Sequence, residues 1–212
     1  MFDHELLTEA QNATAEPTNG GTSWASGLWT VQEVIDYANH RQHRFLKDSG
    51  ILLGLADIST VPLTIQHPLP ADCVEIHRVV WHSADDVFTP LFRGDAWEAD
   101  NADPSWPYTT VTIPIVWLDM ESPFGYFRTM PPVNDVGRLE IGYVALAETL
   151  SNAGAVDVQV PDEFAPAVKY GILADMFSKV GRANDPARAQ YCEQRFELGI
   201  LTAQMLIREY PQ

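Results

Sequence analysis

The chain has 212 residues, 46% of them hydrophobic, and its 29 acidic against 13 basic side chains give a formal net charge of −16. That length and apolar content suit one helical layer carrying one sizeable insert, and no apolar run is long enough to span a bilayer. The charge argues against a clamp for nucleic acid, where Lys and Arg must neutralise phosphates to supply affinity.

Residues 1–28 carry Asp3, Glu5, Glu9 and Glu16 with no Lys or Arg. MFDHELLTEAQ lacks the basic start and apolar stretch of a secretory signal. The run QNATAEPTNGGTSWASG that follows is rich in Asn, Thr, Gly and Ser, so 1–28 is expected to be a mobile N-terminal arm that orders only against something else. The first helix is expected from Thr30, with Glu33 three residues on as a capping box. Val31, Val34, Ile35, Ala38, Phe45 and Leu46 form one apolar stripe, and Gly50 stops it.

The pattern then changes from helical to alternating. Strands are expected at Val61–Gln66 and at Val74–His82, with Val74, Ile76, Val79 and Trp81 facing inward. Further strands are expected at Val87–Phe92, Thr110–Leu118, Gly125–Met130 and Arg138–Val144. The acidic, aromatic stretch GDAWEADNADPSWPY reads as a long loop. Residues 50–161 hold fifteen acids and four bases, the most acidic part of the chain.

From Pro161 the helical period returns. Asp162 is placed to cap a helix bearing Ala167, Tyr170, Gly171, Ala174, Phe177 and Ser178, ended by Gly181. Asp185-Pro186 opens the next helix, whose apolar face runs Ala189, Cys192, Phe196, Ile200, Ala203 and Ile207 until Pro211. So short a connection makes an antiparallel hairpin. The expected fold class is α+β. An antiparallel helical layer, the N-terminal helix plus the C-terminal hairpin, comes from 29–50 and 161–212, and a central antiparallel β insert from 51–160.

Motifs for catalysis are scarce: there is no phosphate-binding glycine loop, G-x-S-x-G elbow, H-E-x-x-H or C-x-x-C. No catalytic, cofactor or metal residues are therefore expected. Asp36, His40 and His43 share a helical face at metal-compatible spacing, but an amphipathic helix beside Arg44 and Lys47 also shows a solvated polar face there. His77 and His82 lie within a strand pattern. Asp119 and Glu121 follow Trp117 as a glycosidase pair would, and as ordinary turn acids would. Trp97 and Trp106 read either as interface aromatics or as the private core of their loop. Cys73 and Cys192 are too few for a disulfide framework and read as free thiols of a reducing cytoplasm.

Several segments, in order, carry a resemblance from Leu28 to Tyr210. They are TVQEVIDYANHRQHRFLKDSGIL, the Leu-Pro-x-Asp corner and strand of HPLPADCVEIHRVVW, MPPVNDVGRLEIGYVA, the Pro-Asp-x-Phe helix opening of VPDEFAPAVKYGILADMF, and ARAQYCEQRFELGI. In this the chain resembles the head-to-tail adaptor (connector) proteins of tailed bacteriophages. The resemblance implies a structural virion protein, not an enzyme and without cofactors. It would form a ring of about twelve copies under the portal protein, extend the DNA channel and support tail nozzle, tube or fibre proteins. Double-stranded DNA would pass without specific binding, and no membrane would be involved. Portal contact is expected from the C-terminal end, Arg208, Glu209, Tyr210, Pro211 and Gln212. Two other readings stay open: another tail-tube or tail-completion protein, and a carbohydrate-binding β module using Trp97, Trp106 and Trp117.

Overall fold

The computed structural model describes residues 3–14, 24, 27–85, 87–118, 125–151 and 156–209. The chain forms two compact units, residues 1–52 with 146–212, and residues 53–145.

The first unit is helical, with α1 (Asp3–Thr14), α2 (Val31–Ser49), α4 (Ala165–Ser178) and α5 (Pro186–Glu209). Both ends of α2 form as expected. The Thr30 hydroxyl accepts from the Glu33 amide at 3.2 Å, and the Thr30 amide donates to Glu33 Oε2 at 2.8 Å. Gly50 adopts φ 69° and donates to the Leu46 carbonyl at 2.9 Å, a left-handed cap that glycine adopts without strain. The expected stripe of α2 is buried in full, and Arg41 and Gln42 are buried with it.

Helix α4 differs from a one-sided amphipathic helix. Val168, Ile172, Leu173 and Met176 are buried alongside Ala167, Gly171, Ala174 and Phe177, so it is the central helix, covered on most of its circumference. Its entry is a 3-10 turn at Asp162–Phe164 and the α-helix begins at Ala165, three residues after the expected Asp162 cap. Helix α5 starts as expected, with the Arg188 amide donating to Asp185 Oδ1 at 3.2 Å ahead of Pro186. The two helices cross closely. A methyl on Gly199 would overlap that of Ala167, and one on Gly171 would lie 2.8 Å from the Phe196 ring.

Two boundaries move. Asp3–Thr14 is a helix with Leu6 and Ala10 buried in the helical core, and Trp24 is buried there too. The mobile arm expected over 1–28 is corrected for these residues, because LLTEA carries a short apolar stripe that the polar run after it obscures. The return segment after Ala145, expected within the 51–160 insert, belongs to the helical unit. Amide side chains of α2 hold it: Asn39 Nδ2 donates to the Leu150 carbonyl at 3.0 Å, the Leu150 amide donates to Asn39 Oδ1 at 2.7 Å, and Gln42 Nε2 donates to the Glu148 carbonyl at 3.2 Å. That explains a buried glutamine, since its polar atoms are satisfied by backbone.

The second unit holds two four-stranded sheets. One runs β1 (Leu53–Ser59), β8 (Gly137–Ala145), β3 (Cys73–Ser83), β4 (Phe88–Pro90), all antiparallel. The other runs β2 (Gln66–Pro68), β7 (Tyr126–Met130), β6 (Val116–Leu118), β5 (Phe92–Gly94). Its β5–β6 pair is parallel, which corrects the all-antiparallel expectation: only Leu91 separates β4 from β5, so the chain passes from one sheet to the other without reversing. On β3, Ile76, Val79 and Trp81 face the core as expected while Val74 is half-buried, and a register shift between Ile76 and Arg78 lets Val80 and His82 be buried as well.

Strand β1 escapes the alternation rule because Leu53 and Leu55 lie on its exposed side. Conversely, Val61–Ile65 is a turn instead of the expected strand. Pro62 sets the first corner, Leu63 takes φ 68° and the Thr64 amide donates to the Val61 carbonyl at 3.1 Å, as a type II turn requires. Of the expected Thr110–Leu118 strand, Val116–Leu118 is paired in the ladder and Val111 forms one isolated bridge to Val133. The expected loop GDAWEADNADPSWPY contains α3 (Ala96–Ala102), capped by Asp95 accepting from the Trp97 amide at 2.7 Å.

Candidate interface surfaces

The polar groups singled out by sequence are dispersed by the fold. His43 Nε2 lies 3.0 Å from the Ala147 carbonyl, Asp36 accepts from Gln32 at 2.9 Å, and His40 Nδ1 lies 3.7 Å from Asp175. Those three side chains thus serve three different neighbours, and among the described residues no group of three or more His, Cys, Asp or Glu is placed to hold a metal ion. His77 is exposed; His82 is buried, its Nδ1 2.8 Å from the Arg138 guanidinium and its ring edge-on to Phe88. Asp119 and Glu121 lie outside the described residues. Cys73 is half-buried and Cys192 buried, neither in a disulfide; burial pushes the Cys192 thiol above its ordinary value, which makes it a poor nucleophile.

The two loop tryptophans separate. Trp106 is 3% exposed and packs with Ala96, Ala99 and Leu118, its Nε1 donating to Asp100 at 2.8 Å. That corrects Trp106 as an exposed interface aromatic: it is the core of its own loop. Trp97 is 74% exposed on α3. An open groove of 540 Å³ lies between Leu63–Gln66 and Trp106, with Asp100 and Arg128 at its rim. Phe88, Phe92 and Tyr108 are further exposed aromatics of the β unit.

In the helical unit the fold builds, around the buried Arg41, an ion cluster that sequence reasoning missed. Arg41 donates from Nε and Nη2 to the two oxygens of Asp175 at 2.7 and 2.6 Å, and reaches Glu193 from Nη1 at 2.7 Å. Arg44 donates to Glu193 at 2.8 Å and pairs with Glu197 and Asp48. Both guanidiniums lie over the Phe196 ring, where cation–π attraction adds to the pairing. Burial disfavours each cation, yet the facing carboxylates raise both guanidinium pKa values above their ordinary position. The available signal was the i,i+3 repeat of Arg41 and Arg44 on α2 opposite Glu193 and Glu197, four apart on α5.

With Cys192, Phe196, Ile200 and Ala203 turned inward and Glu193 and Glu197 drawn towards α2, the outer face of α5 is left apolar in its second half. Tyr191, Leu198 and Met205 stand seven residues apart, with Gln194 and Leu201 between them. Leu198 is 54%, Leu201 50% and Met205 65% exposed. This is a heptad seam of the kind that accepts a second helix. A shallow groove of 460 Å³ runs beside it, lined by Gln190, Glu193, Gln194, Glu197, Leu198 and Leu201. Of the expected portal contacts, Arg208 and Glu209 end α5 and nothing is described of their side chains, while Tyr210, Pro211 and Gln212 lie outside the described residues.

No helix among the described residues is long and apolar enough to cross a membrane. The chain matches the SU10 adaptor protein family over residues 5–211. No individually curated protein matches it. A match of that extent takes in α1, both sheets and the C-terminal hairpin together, and the chain therefore belongs to the SU10 adaptor family of tailed-phage head-to-tail adaptor proteins.

Proposed function

We propose that this adaptor assembles as a ring of about twelve copies beneath the portal, extends the DNA channel and carries the tail nozzle, tube or fibre proteins. It is a structural component of the virion at the head–tail interface, made in the host cytoplasm and without catalysis. The observation that carries the reading is the outward seam of Leu198, Leu201 and Met205 on α5, in a chain whose family joins head to tail. Large apolar side chains in a helical row are what a subunit keeps for a neighbour.

The net charge of −16 supports passage of DNA over binding of it. Each captured phosphate would slow ejection, whereas an acidic lumen repels the duplex and leaves it lubricated by water and counterions. Arg208, Glu209, Tyr210, Pro211 and Gln212 are proposed to enter the portal, because a segment following a helix can thread into a groove. Mass photometry of the protein alone and with the portal ring of the same phage tests the reading. The expected result is a complex of portal mass plus about twelve subunits, promoted by salt, which screens repulsion between like-charged copies. Absence of binding at every ionic strength would overturn it.

A further inference from the structure

We infer that the outer face of α5 docks against α1 of the adjacent copy, so that the helical units join head to tail. The inference rests on the ring reading and names the surfaces that close it. Three observations carry it: where α1 and α5 sit on α4, the sign of charge on each, and the shapes they offer.

Position comes first. Successive residues of a helix are about 100° apart. Ala167 and Gly171 of α4 receive α5, at Gly199 and Phe196. Lys169, which stands two residues from each, takes Glu9 of α1 at 3.1 Å. Two residues are about 200° of turn, so α1 and α5 occupy opposite sides of α4. A closed ring of more than two copies needs two different patches on opposite flanks of each subunit, and these two helices are such flanks. Pairing α5 with itself would be two-fold and would stop at two copies.

Charge comes second. Although the chain is strongly acidic, the acids Glu193 and Glu197 of α5 are engaged by Arg41 and Arg44. Its outward cations are Arg188 and Arg195. Arg188 pairs with Asp185 at 3.3 Å, and Arg195 lies 5.3 Å over the Tyr191 ring and donates to its hydroxyl at 3.1 Å. With Arg188 matched by Asp185, it is Arg195 that gives the outer face of α5 its net positive charge. On α1, Glu5, Thr8, Glu9 and Asn12 share the exposed face at i, i+3, i+4 and i+7, with Glu9 offset by Lys169 of α4, and residues 1–28 contain no Lys or Arg. A positive flank facing a negative one lets acidic subunits meet where their mutual repulsion is least.

Shape comes third. The seam of α5 projects Leu198, Leu201 and Met205 as knobs, and α1 offers the shorter Thr8, Asn12 and Ala13 on its exposed side. Large side chains on one helix against small ones on the other let the two axes approach.

Cysteine cross-linking in the full chain, with Cys73→Ser to remove the half-buried native thiol, tests the contact. Leu201→Cys and Thr8→Cys replace exposed side chains, so neither removes core packing. The two variants are mixed on the portal ring, treated with a short bismaleimide and resolved by mass. The expected result is at least about tenfold more cross-linked dimer in the mixture than in either variant alone, and a ladder of higher oligomers when one chain carries both changes. A Leu201→Cys chain that cross-links to itself as strongly as the mixture would overturn the inference in favour of a two-fold α5 contact. Many copies bound per portal without cross-linking in the mixture would overturn it while leaving the ring reading intact. One copy or none bound would remove the ring reading and this inference with it.

Discussion

The helical unit and the β unit handle charge in opposite ways. Between Leu53 and Ala145 there are thirteen acids and four bases, and the ion pairs Arg78–Glu140, Arg93–Glu75 and Arg138–Asp57 have at least one partner half-exposed or more. In the helical unit, Arg41 is 7% exposed and shares its charge with Asp175 and Glu193, and Arg44 extends the cluster to Glu197. A buried guanidinium must keep its partners, whereas a surface pair is screened by water and worth little. The helical unit therefore depends on particular pairs, while the acidity of the β unit acts chiefly through its total field.

The largest effect that breaks this comparison comes from the ring beneath the ion cluster. Phe196 is fully buried, and Phe196→Ala is expected to lower stability by about 3–5 kcal/mol, read as the loss of helical ellipticity in a urea titration. A loss under about 1 kcal/mol would mean that the crossing of α4 and α5 is not packed as described.

Next is the cluster itself. Arg41→Ala removes the bidentate partner of Asp175, while Glu193 keeps Arg44, and should cost about 3 kcal/mol. Arg93→Ala in the β unit breaks a pair 3.4 Å long whose side chains are both about half exposed, and should cost less than about 1 kcal/mol. Equal losses would erase the contrast between the units.

The β unit has its own buried titratable group. His67 is 2% exposed, with Nε2 3.0 Å from the Thr129 hydroxyl, and burial holds its pKa down from 6.5 to about 4. Above pH 6.5 both folded and unfolded chains keep it neutral. As the pH falls from 6.5 towards 4 the unfolded chain takes up a proton that the folded one refuses, so stability is lost across that window. The contribution reaches about 2 kcal/mol at pH 5. The difference in urea midpoint between pH 7 and pH 5 should accordingly shrink in His67→Asn; an unchanged difference would show that His67 is not the group responsible.

The smallest expected effect is that of Trp97→Ala. Its ring is exposed, so stability should change by less than about 0.5 kcal/mol, whereas retention of tail components should fall if Trp97 anchors them. A clear drop in thermal midpoint would instead assign Trp97 to packing.

Legibility in the sequence followed the scale of the forces. Helix α2 was readable to its caps, because Thr30, Glu33 and Gly50 each act within one turn. The start of α5 at Asp185-Pro186, and strands β3, β7 and β8, were readable for similar reasons. Helix α1 was not, since its few apolar residues gain their worth only against α2 and α4. The centrality of α4 was hidden for the same cause: apolar residues on most sides have no periodic signal, and a partner must be present on each side before burial is favourable. Of the candidate surfaces, Trp97 and Trp106 looked alike in the sequence. Only the folded loop, by turning the Trp106 indole onto Asp100, made one core and left the other exposed.

By itself the sequence determined the local devices: the caps, the hairpin of α4 and α5, the acidic bias and the order of segments shared with the adaptor family. Each depends on neighbours a few residues apart, or on composition, which no fold can alter. The tertiary structure alone decided which cations are buried, which face of α5 is left for a partner, and that β5 pairs in parallel with β6. Those outcomes depend on residues up to 153 positions apart, as in Arg44 with Glu197, and desolvation sets their energies only once the units are packed.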